Sequence, residues 1–155
     1  MKALELRVPP VATTVLTGIA MWVTAATFPS LDVPVPPVWR AGVGAVLAAT
    51  GIWFALAGVG EFRRASTTVN PLSPEKTDSL VTDGVYARTR NPMYVGMLLM
   101  LAGWGVALAH LSGPLFLLLF AMYIDRFQIA PEERALEARF GAAFADYRRR
   151  VRRWL

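Results

Sequence analysis

The sequence predicts an all-α integral membrane protein with four transmembrane helices and a C-terminal amphipathic cytoplasmic helix. Three observations lead there. Apolar residues are gathered into long uncharged blocks, proline and glycine fence those blocks, and lysine and arginine fall almost wholly on one side of them. The composition agrees: 55% of the 155 residues are hydrophobic and 17% are charged, and mean hydropathy is +0.42. Length and composition suit one domain over residues 1–155. With no cysteine and a single histidine, His110, disulfide frameworks, thiolate chemistry and histidine-rich metal sites are excluded, and no metal is expected. The formal charge of +5 is read as a membrane face meeting anionic headgroups rather than as a nucleic-acid surface.

A hydrocarbon core about 30 Å thick needs about 20 apolar residues at about 1.5 Å rise each. Residues 11–28 qualify between Pro9-Pro10 and Pro29, and residues 41–60 qualify after the loop that holds Pro34, Pro36 and Pro37. The uncharged stretch from Asn91 to Ile124 is too long for one helix, and His110-Leu-Ser-Gly-Pro114 turns it back. It is therefore expected to form a hairpin of spans 92–109 and 114–130, the latter carrying Asp125 and Arg126 at the headgroup level. A signal peptide competes for the first block, although 18 apolar residues are long for a signal core.

Positive residues set the orientation. Lys2 and Arg7 precede the first span; Arg63, Arg64, Lys76, Arg88 and Arg90 occupy the loop 61–91; and eight arginines run from Arg126 to Arg153. Only Arg40 lies in the opposite loops. Both termini and the loop 61–91 are thus expected on the cytoplasmic side, in an inner membrane of the bacterial or archaeal type. After Pro131, Leu136, Phe140, Phe144, Tyr147 and Val151 recur at helical spacing, which predicts an amphipathic helix over 131–151. The triplets Gly42-Val-Gly44, Gly58-Val-Gly60 and Gly103-Trp-Gly105 follow no strand and do not continue as dinucleotide-binding loops, so they are read as helix-packing residues.

Chemistry concentrates at two places. Leu80 to Gly96 packs the turn Asp83-Gly84, Tyr86, Arg88, Arg90, Pro92 and Tyr94 just before a span. Proline in the first helical turn, with unpaired N–H groups beside arginines, makes an anion site. Positive-inside anchoring with an interfacial tyrosine belt would account for the same residues. Across the hairpin stand Glu132 and Glu133, two carboxylates that could equally serve only to offset a helix dipole. A cationic loop facing a carboxylate pair can hold a doubly charged small molecule.

The ordered elements Arg90-Asn-Pro-Met-Tyr-Val-Gly96, Gly103-Trp104, Glu132-Glu133 and Phe140-Gly141, with Tyr147, Val151 and Arg153, resemble the membrane methyltransferases. That superfamily holds the isoprenylcysteine carboxyl methyltransferases and the phospholipid N-methyltransferases, and the resemblance covers Phe62 to Trp154. It implies S-adenosylmethionine as cofactor and a lipophilic acceptor entering sideways from the bilayer, with membrane lipids as the surroundings. Carried over, Arg90, Asn91, Pro92 and Tyr94 match the family's Arg-His/Asn-Pro-x-Tyr element. Glu132 and Glu133 match its acidic pair, and Leu80 to Tyr86, with Gly84 and Tyr86 beside the cofactor, match its Leu-Val-x-x-Gly-x-Tyr loop.

The expected catalytic group is Arg90, Glu133 and Tyr94. Arg90 would take the cofactor carboxylate, and one of the two glutamates its ammonium or ribose hydroxyls; which glutamate does which stays open. On this reading Arg90→Ala and Glu133→Ala abolish cofactor binding and spare detergent stability. Asn91 in place of the histidine common among isoprenylcysteine enzymes, and Phe144 in place of a frequent tyrosine, depart from the pattern and loosen the link to an isoprenylcysteine substrate. Phospholipid N-methylation and a non-enzymatic four-span scaffold remain the alternatives; acceptor and oligomeric state stay open.

Overall fold

A computed structural model describes residues 5–65 and 79–155. Lys2, Lys76 and the middle of the loop 61–91 lie outside the described residues, which are helical apart from short connections and one isolated β-bridge, Asp32 with His110. The helices are α1 (Pro10–Thr27), α2 (Pro37–Arg64), α3 (Pro92–Leu108), α4 (Gly113–Ile124), α5 (Ala130–Phe140) and α6 (Ala142–Arg150).

Proline opens each apolar helix: Pro10, Pro37 and Pro92 are first residues, and Pro114 is the second residue of α4. The missing N–H costs nothing there, because first-turn amides have no intrahelical acceptor. Inside the helices, Thr14, Thr17, Thr27 and Thr50 each donate to the carbonyl four residues back, which satisfies hydroxyls that lipid could not.

Three helices are long and apolar enough to cross a membrane: Pro10–Thr27, Pro37–Arg64 and the continuous run Gly113–Phe140. Pro92–Leu108 is a shorter apolar helix. Four spans were expected, and by length and composition the count is three plus this shorter one. Two boundaries differ from expectation. α2 begins at Pro37 rather than Ala41, since Arg40 is half-buried and one charge does not break a helix that a proline has started.

The second difference is larger. No separate helix starts at Pro131; α4 runs into α5 through a π-helical turn, Asp125–Ile129. Proline at 131 cannot donate to the carbonyl of Phe127, and an ordinary α-turn would push its ring against that oxygen. The widened turn removes the conflict, and the Phe127 carbonyl accepts instead from the N–H of Leu6 at 3.1 Å. Gln128 Nε2 donates to Val8 O at 2.8 Å, and Glu5 pairs with Arg126 and Arg134, so the N-terminal segment is fastened to this turn. The expected helix 131–151 is also divided. Gly141, at φ +50° and ψ −120°, separates α5 from α6 in a conformation that a side chain disfavours.

α2 and α3 form the most extensive helix pair, antiparallel and in backbone contact. Gly44, Gly51 and Gly58 recur every seven residues on α2 and meet Gly103, Gly96 and Met93 of α3. A Cβ on Gly51 would lie 2.5 Å from the Gly96 carbonyl oxygen, and one on Gly103 would lie 2.6 Å from that of Gly44. Only hydrogen fits at these crossings. Gly42 and Gly60 have nothing within 4 Å, so each Gly-x-Gly triplet of α2 contributes one packing residue, not two.

α1 lies on the other side of α3, where Trp104 Nε1 donates to Gly18 O at 3.0 Å. At the end of α3 away from Arg90, His110 bonds Ser112 Oγ at 2.7 Å and Phe28 O at 3.0 Å. That places it about 25 Å along the helix from Pro92, at about 1.5 Å per residue.

Candidate active site

The site forms where the N-terminus of α3 meets α5, α6 and the 3-10 turn Gly84–Ala87. A cavity of about 90 Å³ is lined by Phe62, Tyr86, Arg90, Asn91, Met93, Tyr94, Glu132, Glu133, Leu136, Phe144 and Tyr147. Residues 62 to 94 reach it from one side of the hairpin and 132 to 147 from the other. Of the sequence candidates, Tyr86, Arg90, Asn91, Tyr94, Glu132 and Glu133 meet here. Pro92 is buried behind the wall, and Gly84 is on the surface beside Glu61. Gly84 has φ +58°, and a Cβ there would collide with the Glu61 carboxylate, so glycine is required by the turn itself.

The two glutamates have different surroundings. Glu132 accepts from the Tyr94 hydroxyl, and both border the cavity. Glu133, 8% exposed, is enclosed by two guanidinium groups. Its Oε1 accepts from Arg90 Nη2 at 2.7 Å, from Arg90 Nε at 3.2 Å and from Arg153 Nε at 3.2 Å, while Oε2 accepts from Arg153 Nη2. Arg90 Nη1 donates to the carbonyls of Val151 and, at 3.3 Å, Arg148. Four of the five N–H groups of Arg90 are therefore directed at protein acceptors.

Arg153 and Asp125 extend this network. Arg153 Nη1 donates to both carboxylate oxygens of Asp125 at 3.0 Å, and hydrogen bonding to Glu133 raises the arginine's pKa. The sequence placed Asp125 at the headgroup level, beside Arg126. Its partner is Arg153, and the last residues of the chain form a strap beside the motif. The Arg90 amide donates to Arg152 O at 2.9 Å, Thr89 Oγ1 to Arg153 O at 3.1 Å, and Asn91 Nδ2 to Arg153 O at 2.9 Å.

Aromatic groups close the remaining wall. Tyr147 donates to Tyr86 O at 2.8 Å, Phe62 meets Tyr86 edge-on at 5.4 Å, and Phe144 is 1% exposed against Tyr147. Burial pushes the Tyr86 and Tyr147 phenols well above the ordinary tyrosine range, so both are neutral hydrogen-bonding groups. Phe144 fills a space with no need for a hydroxyl. Among the described residues no cluster of His, Asp and Glu could hold a metal ion.

A second cavity opens on the flank of the helices. It has about 320 Å³, lies among Pro10, Val11, Ala55, Leu56, Val59, Met97 and Met100, and shares Met93 and Tyr94 with the first. The first cavity, polar in the ionisable groups of its lining although most of its exposed wall is apolar, and the apolar groove thus meet at two side chains of one helix turn.

The model of the phospholipid methyltransferase family matches residues 39–143, which hold all but the first two residues of α2, the whole of α3, α4 and α5, and most of the cavity lining. An uncharacterised protein of Haemophilus influenzae is 41% identical over 63 residues, covering 41% of this chain and 100% of its own. The protein-S-isoprenylcysteine O-methyltransferase of Schizosaccharomyces pombe is 35% identical over 79 residues, 49% of this chain and 32% of that enzyme. The mouse (Mus musculus) enzyme of the same name is 33% identical over 115 residues, 68% of this chain and 40% of its own. The chain therefore spans well under half of either named relative. No solved structure matches the chain. With a match over residues 39–143 that takes in both the paired glycine helices and the acidic pair, the chain belongs to the phospholipid methyltransferase family, in the superfamily that includes the isoprenylcysteine O-methyltransferases.

Proposed function

We propose that the chain is an integral membrane methyltransferase that binds S-adenosylmethionine in the polar cavity and methylates a lipophilic small-molecule or isoprenoid-type acceptor at the cytoplasmic face. The observation that carries this reading is the shared wall. Tyr94, hydrogen-bonded to Glu132, borders both the polar cavity and the apolar groove, so a polar donor and an apolar acceptor could meet across it. The three long apolar helices support a membrane location, and α3, in backbone contact with α2 from Gly44 to Gly58, is taken as a fourth crossing.

The donor set fits the cofactor. Glu132 would supply a carboxyl group for an ammonium or ribose hydroxyls, the phenols of Tyr86 and Tyr94 further polar contacts, and Phe62 and Phe144 apolar wall for the rest of the molecule. Pockets for molecules of this size run to about 300–1,000 Å³, so a cavity of about 90 Å³ must widen on binding. Half-buried Phe62, Met93 and Leu136 are the apolar lining groups with room to move.

When bound, S-adenosylmethionine supplies an electrophilic methyl group on a sulfonium. What the chain must do is orient and dry the reacting pair. Arg90 and Glu133 hold each other and the chain end, which keeps the N-terminus of α3 in register with α5. Tyr94 and Glu132 face the acceptor side, and the methionines of the groove receive its apolar part.

A carboxylate acceptor needs no base here. An amine acceptor must first lose a proton, and the Tyr94–Glu132 pair is the group on the shared wall able to take it. The family's own description favours that second reading, in which a phospholipid headgroup amine is the acceptor. The test is equilibrium binding of S-adenosylhomocysteine to detergent-purified protein, followed by labelled methyl transfer to prenylated thioethers and to aminophospholipids. Saturable binding with label in either lipid class supports the proposal and selects the acceptor. A folded protein that binds nothing in nanodiscs would leave a scaffold as the better reading.

A further inference from the structure

We propose that Arg153, beyond the matched residues 39–143 and outside the cavity lining, is a positioning residue that sets the cofactor site through Glu133. The inference rests on the reading of the polar cavity as the cofactor site. Three separate elements end on this one residue. Its guanidinium bridges Asp125 in the π-helical turn and Glu133 in α5, and its backbone carbonyl accepts from Thr89 and Asn91 just before α3. Trp154 then packs against the core formed by Met21, Tyr94, Leu101, Phe120, Ile124 and Ile129, which anchors the strap on its far side.

The charge pattern explains why arginine is needed. Glu133 faces Arg90 on one side, and neutralising it with Arg90 alone would leave Oε2 without a cation. Arg153 supplies that cation and a second bidentate contact to Asp125 from the same planar fork. Lysine, a single point charge on a flexible stem, cannot reproduce both. The interaction also fixes the order of the acidic pair. With Glu133 held by two guanidiniums, Glu132 is the carboxylate left facing the cavity with Tyr94.

The experiment measures S-adenosylhomocysteine affinity on folded protein for wild type, Arg153→Gln, Arg153→Lys, Glu133→Gln and the Arg153→Gln/Glu133→Gln double variant. Hydrogen exchange over residues 89–91 is followed in parallel. Arg153→Gln should weaken binding about tenfold or more, the scale of one charge-assisted contact, and Arg153→Lys should fall between it and wild type. If Arg153 acts through Glu133, the double variant should bind within about threefold of Glu133→Gln alone, because linked sites are not additive.

Exchange at the Arg90 amide, whose acceptor is Arg152 O, should accelerate in Arg153→Gln. Wild-type affinity in folded Arg153→Gln, or losses that multiply in the double variant, would overturn the proposal. Should Arg153→Gln not fold, Asp125→Asn removes the outer half of the clamp only, and unchanged affinity in that variant would count against the proposal equally. If wild type itself does not bind, the cofactor reading fails by that result. The exchange data then decide the strap separately, with faster exchange supporting it and unchanged exchange overturning it.

Discussion

Replacing Glu133 with glutamine should cost fold stability as well as affinity, whereas replacing Glu132 with glutamine should cost cofactor binding alone. The Glu133 side chain is 10% exposed and the Arg90 side chain 9%, so their pairing is shielded from water, while the Arg153 side chain is 35% exposed. Breaking a buried pair by removing one partner costs about 3–5 kcal/mol. Glutamine keeps one carbonyl acceptor for Arg90, and the more exposed Arg153 regains water, so the expected cost is nearer 2 to 3 kcal/mol.

Glu132→Gln is different. It retains an oxygen for the Tyr94 hydroxyl and strands no cation, so stability should change by less than about 1 kcal/mol. Losing the one carboxyl beside Tyr94 that can carry a negative charge against a bound ammonium should weaken S-adenosylhomocysteine by roughly 10- to 150-fold, the equivalent of about 1.5–3 kcal/mol. Both quantities come from one detergent thermal-shift series with and without ligand: the unliganded midpoint reads the fold, and the ligand-induced shift reads affinity. A Glu133→Gln protein as stable as wild type, with Glu132→Gln unfolding early, would refute this division of roles. It would return Glu133 to the cofactor-facing role that the sequence alone had assigned to it.

The helix crossings give a second test: Gly51→Ala and Gly96→Ala should each lose about 1–3 kcal/mol from overpacking against backbone oxygen, whereas Gly42→Ala and Gly60→Ala, with open space around them, should melt like wild type. Thermal midpoints of the four variants decide it. Gly141→Ala, at φ +50° and ψ −120° with nothing nearby, should cost about 1–3 kcal/mol through the backbone alone, as read by the same assay. The raised Tyr86 and Tyr147 pKa values also set an alkaline limit. Below pH about 10 both phenols are protonated in folded and unfolded chains alike; above it the unfolded chain alone loses the protons. Stability should then fall by about 1.4 kcal/mol per pH unit for each tyrosine. Tyr86→Phe should remove one tyrosine's share of that slope, about 1.4 kcal/mol per pH unit, in melts above pH about 10, and an unchanged slope would count against the burial of this phenol.

Hydropathy, proline punctuation and the short motifs carried the helix order, which depends on local sequence, and the hairpin that this order implies brings Arg90, Asn91 and Tyr94 to the same end as Glu132 and Glu133. The seven-residue repeat of Gly44, Gly51 and Gly58, with Gly96 and Gly103 answering it, was also present to be read. Grouping glycines by adjacency into Gly-x-Gly triplets hid it, since Gly42 and Gly60 face away from α3. What sequence could not supply were the contacts that the first and last described segments make with the rest of the chain. Pro131 looked like a helix start because the Leu6 amide that takes the Phe127 carbonyl lies more than a hundred residues away. The strap from Val151 to Trp154 looked like a basic tail because its partners, Thr89 to Asn91, belong to another part of the chain.

The π-helical turn ties these observations to the chemistry. Successive residues on a helix point about 100° apart, so two neighbouring glutamates rarely serve one cavity from the same α-helix. Here the direction of α5 is set by three fastenings at its start: the Leu6 amide on Phe127, the Val8 carbonyl on Gln128, and Asp125 on Arg153. With that start fixed, the cavity is built around both side chains, Glu132 toward Tyr94 and Glu133 toward the arginines. π-Turns recur at functional sites because one extra residue re-aims the helix that follows. A deletion of one residue within 125–129 should therefore turn α5 by about 100° and remove the acidic pair from the cavity. It should abolish S-adenosylhomocysteine binding even where the protein still inserts and α2 and α3 still pair. A deletion variant that keeps wild-type affinity would show that the turn relieves Pro131 and does nothing more.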